Sequence, residues 1–113
     1  MIKLLLTVTI DRDQHRSARA HKIVRPLLWP TEPAIGTLFW VSKTDVHLFY
    51  NVLQVGHKPA RDCIEIMFEA DSSHELMRLL EEENGGWVRD ENPLSPAPLT
   101  WPEVDDYPTA TVR

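Results

Sequence analysis

"CIEIMFEADSSHELMRLLEEENG", residues 63–85, contains two hydrophobic periods in succession, and the change between them sets the fold class. Over residues 63–69, Ile64, Ile66 and Phe68 fall on one side, while Cys63, Glu65, Met67 and Glu69 fall on the other. That alternation is the period of a strand. Leu76, Leu79 and Leu80 then recur at i, i+3 and i+4 with Met77 at the border, which predicts a helix over about 73–84. Ser72 and Glu75 match the S-x-x-E capping box, and Gly85 stands where a left-handed stop is expected. Glu81, Glu82 and Glu83 oppose the helix dipole, so packing rather than propensity must hold this element. A strand followed by one amphipathic helix makes the chain α+β.

Working outward, the rest of the chain is mostly extended. Ile2, Leu4, Leu6, Val8 and Ile10 alternate with Lys3, Leu5, Thr7 and Thr9, the pattern of a half-buried first strand. "KIVRPLLW" (22–29) is a second strand, bent or at an edge because Pro26 lacks a ladder donor. "GTLFWV" (36–41) and "VHLFYNVLQV" (46–55) form a third and fourth, paired through "SKTD" (42–45), which has hairpin-turn chemistry. "GWVRD" (86–90) can close the set with a short strand. Five to six strands around one helix predict a small, strongly bent antiparallel sheet or half-open barrel. That order resembles the SH3-like or OB-like plan, which by itself implies no function. Residues 1–91 read as one domain, and residues 92–113, with five prolines, as an extended C-terminal arm.

A chain of 113 residues with 42% hydrophobic and 26% charged residues is of ordinary globular composition. One cysteine excludes an internal disulfide framework and suits a reducing compartment. "LLLTVTI" ahead of "ARA" imitates a secretory signal, but the charged residues between them do not fit one, so a cytoplasmic protein is expected. No apolar run reaches the length of a membrane span.

Charge is unevenly distributed. Residues 1–61 carry nine Lys or Arg against four Asp or Glu, a net +5; residues 62–113 carry three against thirteen, a net −10. Either the two halves neutralise each other within the fold, or they serve different partners. The basic block "RDQHRSARAHKIVR" (12–25) offers Arg12, Arg16, Arg19, Lys22 and Arg25 as candidate phosphate contacts. It contains no aromatic residue on which a base could stack, and a solvated loop answering the acidic half explains it better.

Signals for catalysis are weak. His57, Asp62 and Cys63 come nearest, but Asp62 would raise the thiol pKa, and no glycine-rich turn supplies an oxyanion site. The five histidines show no metal-ligand spacing, and P-loop, GxGxxG and GxSxG motifs are absent, so no metal or cofactor is expected. The aromatic residues say more. Phe39 and Trp40 point to opposite faces of the third strand, as do Phe49 and Tyr50 on the fourth, so one member of each pair needs a cover. Trp101, in the proline-rich arm, has the character of an anchor.

The expected role is therefore a non-enzymatic binding or accessory module, probed at Trp40, Tyr50, Trp87 and Trp101 and self-associating as a homodimer. Nucleic-acid association through the basic block is the alternative. A small enzyme or ligand-binding barrel with Trp40, His47 and Tyr50 at its mouth is the third.

Overall fold

A computed structural model describes residues 2–10, 22–42, 44–45, 47–82, 85–90 and 99–101. Seven strands and one α-helix follow in the order β1 (Ile2–Ile10), β2 (Lys22–Trp29), β3 (Leu38–Trp40), β4 (Phe49–Asn51), β5 (Gln54–Lys58), β6 (Cys63–Ala70), α1 (Ser73–Glu81) and β7 (Val88–Arg89). Five of the strands form one sheet in the order β5-β6-β1-β2-β7, and β3 and β4 form a separate two-stranded ribbon. The described strands form no closed barrel, and no described helix is long and apolar enough to cross a membrane.

The sheet is mixed rather than antiparallel. β1 pairs antiparallel with β2 and parallel with β6, with Leu4 beside Ile64 and Val8 beside Phe68. The reason lies in β1 itself, which is buried on both faces rather than one, with Leu4, Leu5, Leu6, Thr7 and Val8 all shielded from water. A strand with two apolar faces belongs in the middle of a sheet, and the edge left open by β2 is filled by β6. The short β7 reaches only Ile23 and Val24 of β2, so Pro26 sits where β2 has no further strand partner among the described residues. That is where a residue without a ladder donor is tolerated.

The fourth strand expected over 46–55 divides in two. Val52 donates its N–H to the Thr37 carbonyl (2.9 Å) on the ribbon side, and Leu53 donates to the Met67 carbonyl (2.9 Å) on β6. Between these two residues the chain transfers its hydrogen bonds from one sheet to the other. Val52 turns into the core at the bend, and Leu53 turns out.

One face of the sheet carries the main core: Leu4, Leu6, Val8, Ile23, Leu27, Ile66 and Phe68, covered by Leu76 and Leu79 of α1, by Phe39 and by Trp87. The helix stripe is thus as the spacing predicts, but its ends differ. Ser72 makes no side-chain cap; Glu75 instead accepts the Asp71 N–H (3.2 Å) and the Tyr50 hydroxyl (2.6 Å). At the other end the chain leaves the helix at Glu82 in extended conformation, and Gly86 (φ 80°), not Gly85, adopts the left-handed region.

Phe68 joins sheet to ribbon, its ring centroid 5.7 Å from Phe39 and 6.2 Å from Tyr50. Phe68→Ala should cost about 3–5 kcal/mol of stability, since the ribbon cannot follow the lost ring without leaving its own hydrogen bonds. Urea denaturation measures this; a loss below about 1 kcal/mol would mean that the ribbon is not fastened to the sheet through this ring.

Candidate functional site

The ribbon sorts its side chains by register. Phe39 lies beside Tyr50 on the inner side; Leu38 beside Asn51 and Trp40 beside Phe49 lie on the outer side. The inner pair is fixed. Phe39 packs on Trp29 (5.0 Å) as well as Phe68, and Tyr50 donates its hydroxyl to Glu75. Burial and the adjacent Glu75 carboxylate hold the Tyr50 phenol far above its ordinary pKa.

Among the described residues the outer side is less covered. Leu38 (43%) and Phe49 (42%) stand exposed, with Leu53 (53%) beyond the bend and Ile35 (68%) in the turn leading into β3. Trp40 is half-buried and stacks on Phe49 at 5.5 Å. An open groove of about 330 Å³ runs along this side, lined by Leu38, Phe49, Tyr50, Asn51, Leu53 and Glu69. The turn that closes the ribbon is well built: Ser42 Oγ accepts the N–H groups of Thr44 and Asp45, and Asp45 accepts that of His47 (2.9 Å). The His47 N–H, followed by the Arg78 guanidinium, lowers the Asp45 pKa. His47 is exposed in that turn.

The four aromatic residues singled out from the sequence therefore separate. Trp40 belongs to the exposed side. Tyr50 faces inward. Trp87 is core, donating its indole N–H to the Val41 carbonyl (3.2 Å), and so presents nothing to a partner. Phe49, passed over in the sequence reading in favour of Tyr50, is the one that faces out; the register that decides this comes from pairing, not from local pattern.

Trp101 lies on the second face of the sheet. Together with Leu99 it packs over Leu5, Val24 and Cys63. Its indole N–H donates to the Leu4 carbonyl (2.9 Å), and the Lys3 ammonium lies 5.8 Å from the ring centroid. This part of the arm thus docks on its own chain. The second face also holds polar groups: Thr7 donates to Glu65 (3.0 Å), Lys58 pairs with Glu65 (3.5 Å), and Arg61 and Lys22 both reach Asp90 (3.2 and 3.8 Å).

Of the basic block, Arg12, Arg16 and Arg19 lie outside the described residues. Lys22 is tied to Asp90, and Arg25 is a core residue, 1% exposed, beside Leu6 on the main face with its stem under Gly86. Burial withdraws Arg25 from any surface that could meet a phosphate. His57, beside Ile64, and Cys63, beside Lys58, project to opposite faces of the β5–β6 pair, yet both line one open groove together with Asp62. Desolvation raises the Cys63 thiol pKa. Among the described residues no group of three or more His, Cys, Asp or Glu could hold a metal ion. Comparison with protein-family models, with curated proteins and with solved structures gives no match.

The Tyr50–Glu75 contact makes a pH prediction. The folded chain keeps the Tyr50 proton to higher pH than the unfolded chain does, so this stabilisation is complete below the unfolded value of about 10 and is lost as pH rises above it. Melting temperature should fall more steeply above about pH 10 in the wild type than in Tyr50→Phe, which has no proton to lose. Parallel profiles would remove the contact from the account.

Proposed function

We propose that this protein is a binding module acting through the outer face of the β3–β4 ribbon, and that the partner on that face is a second copy of the chain. The observation carrying the proposal is the clustering of exposed apolar side chains. Of six large apolar residues exposed among those described, four (Ile35, Leu38, Phe49 and Leu53) belong to the ribbon and its flanks. Isolated exposed hydrophobes are ordinary, but a contiguous set beside a stacked Trp is the composition of an interface centre.

Two features favour a like partner. Ile35, Leu38, Trp40, Phe49, Asn51 and Leu53 are all uncharged and Glu69 is a lone carboxylate among the groove's lining residues, whereas the chain carries a net charge of −5, so repulsion between two copies is low here. The face is also graded: Trp40 and Phe49 form an aromatic end, and Leu38 and Leu53 an aliphatic end. A two-fold axis lays the aromatic end of one copy over the aliphatic end of the other, the self-complementarity that an isologous contact requires.

Sedimentation equilibrium across a concentration series tests the reading. The wild type should dimerise, and Phe49→Asp should weaken the dimer by about thirtyfold or more, the effect of losing one central anchor. Asn51→Asp, at the polar position of the same face, should weaken it less. A wild-type chain that stays monomeric at the highest concentration attainable, or a dimer indifferent to Phe49→Asp, would overturn the proposal.

A further inference from the structure

β5 is the outermost strand at one end of the sheet, with β6 on one side and, among the described residues, no strand on the other. Two contacts show which way its backbone points. The Met67 carbonyl accepts the Leu53 N–H from the β5 side, and the Phe68 carbonyl accepts the Thr9 hydroxyl (3.5 Å) from the β1 side. Successive residues of a strand alternate in direction, so Cys63, Glu65 and Met67 turn their backbone groups to β5. Their partners Lys58, Gly56 and Gln54 turn theirs to β6. The N–H and C=O groups of Val55 and His57 therefore point out of the sheet.

This open stretch is bounded at both ends. Leu53 and Gln54 both answer Met67, the two-against-one arrangement of a β-bulge. Pro59, which has no N–H, follows Lys58 and starts a 3₁₀ turn. Such ends keep an edge from pairing without limit, but they leave Val55 and His57 available for one register. A two-fold axis through Gly56 sets Val55 of each copy opposite His57 of the other, and every outward N–H then meets a carbonyl. An axis through Val55 would run into the bulge, and one through His57 would run into Pro59.

The side chains agree with that register. Gly56 meets its own copy on the axis, although its own fold does not call for glycine: its φ is not positive, and a Cβ would touch nothing within 4 Å. Glycine inside a strand costs stability, and it marks places where another backbone comes close. Lys58 keeps its Glu65 pair and stands beside the neutral Gln54 of the other copy. His57 keeps Glu32 and stands beside Val55. No like charges are set opposite each other.

From this we infer that β5 is a second self-association edge, where another copy adds its own β5 antiparallel and the two sheets become continuous. The contact uses backbone groups and does not depend on the ribbon face. Resting on a few hydrogen bonds, it is the weaker of the two and joins ribbon dimers at higher concentration.

The test uses the full chain carrying Phe49→Asp, which removes the ribbon contact. Sedimentation equilibrium at rising concentration should show a dimer. Adding His57→Pro should weaken it by about thirtyfold or more, since the two-fold loses two hydrogen bonds, while the fold survives because that N–H points away from β6. Adding His57→Ala, which keeps the backbone intact, should leave the dimer in place. Amide hydrogen exchange reads the same contact without altering β5. The Val55 and His57 amides of the Phe49→Asp chain should exchange fast when dilute and slow down as concentration rises, while Gly56 stays protected throughout. A Phe49→Asp chain that remains monomeric, a dimer indifferent to His57→Pro, or exchange at Val55 and His57 that ignores concentration overturns the edge pairing. Wild-type association lost with His57→Pro but not with Phe49→Asp would remove the ribbon reading and leave this one standing.

Discussion

The structure depends on a strand that is apolar on both faces. Leu4, Leu6 and Val8 supply one core, and Leu5, with Val24 and Cys63, supplies another. Neither face can be left to water, since each fully buried Leu contributes about 1.5–3 kcal/mol relative to exposure. The centre of the sheet follows from this, and so do two separate covers: α1 with the ribbon and Trp87 on one side, and Leu99 with Trp101 on the other. The parallel β1–β6 pair is the same constraint expressed in hydrogen bonds. Once β2 occupies one edge of β1, the other edge must be filled by a strand with apolar residues to match, and β6 carries Ile64, Ile66 and Phe68.

The bend at Val52 and Leu53 converts this burial requirement into an exposed surface. A continuous strand over 46–55 would stay in one plane. By passing from Thr37 to Met67 within two residues, the chain folds β3 and β4 over the main core while β5 stays in the sheet. The ribbon has two strands and covers the core with one side, and on its other side Leu38 and Phe49 stand exposed. Phe39 and Tyr50 inside, and Trp40 and Phe49 outside, are one geometric decision seen from two sides.

Local pattern made much of this legible and non-local pairing made the rest illegible. β2 and β6 lie within a residue of where alternation places them, and the helix stripe Leu76 and Leu79 is buried as its spacing requires. In place of the capping box, Glu75 accepts the Asp71 N–H and the hydroxyl of Tyr50, a partner 25 residues away that no local motif could reveal. The parallel pairing, the divided strand and the inward turn of Arg25 fail for the same reason, since each is set by contacts remote in sequence. Of the residues on the outer side of the ribbon, Trp40 was readable, while Phe49 could be told from Tyr50 only through the register with β3.

Charge asymmetry between the halves has its counterpart in space. Lys3 pairs with Asp62, Lys22 and Arg61 with Asp90, and Lys58 with Glu65, each joining a cation from the basic half to a carboxylate from the acidic half. These contacts are not equivalent. The Lys3–Asp62 pair is exposed and contributes little, whereas the Asp90 and Glu65 side chains are 5% and 8% exposed. A carboxylate removed from water to that extent is tolerable only if its partners hold, because an unpaired buried charge costs several kcal/mol. Pairing of this kind selects more than it stabilises. It makes alternative registers of β2, β6 and β7 expensive, since a shift of one residue would turn Glu65 or Asp90 away from its cations. The second face is thus kept in register by charge as well as by packing, whereas on the main face the cover is fastened by neutral donors reaching across it, Tyr50 to Glu75 and Trp87 to the Val41 carbonyl.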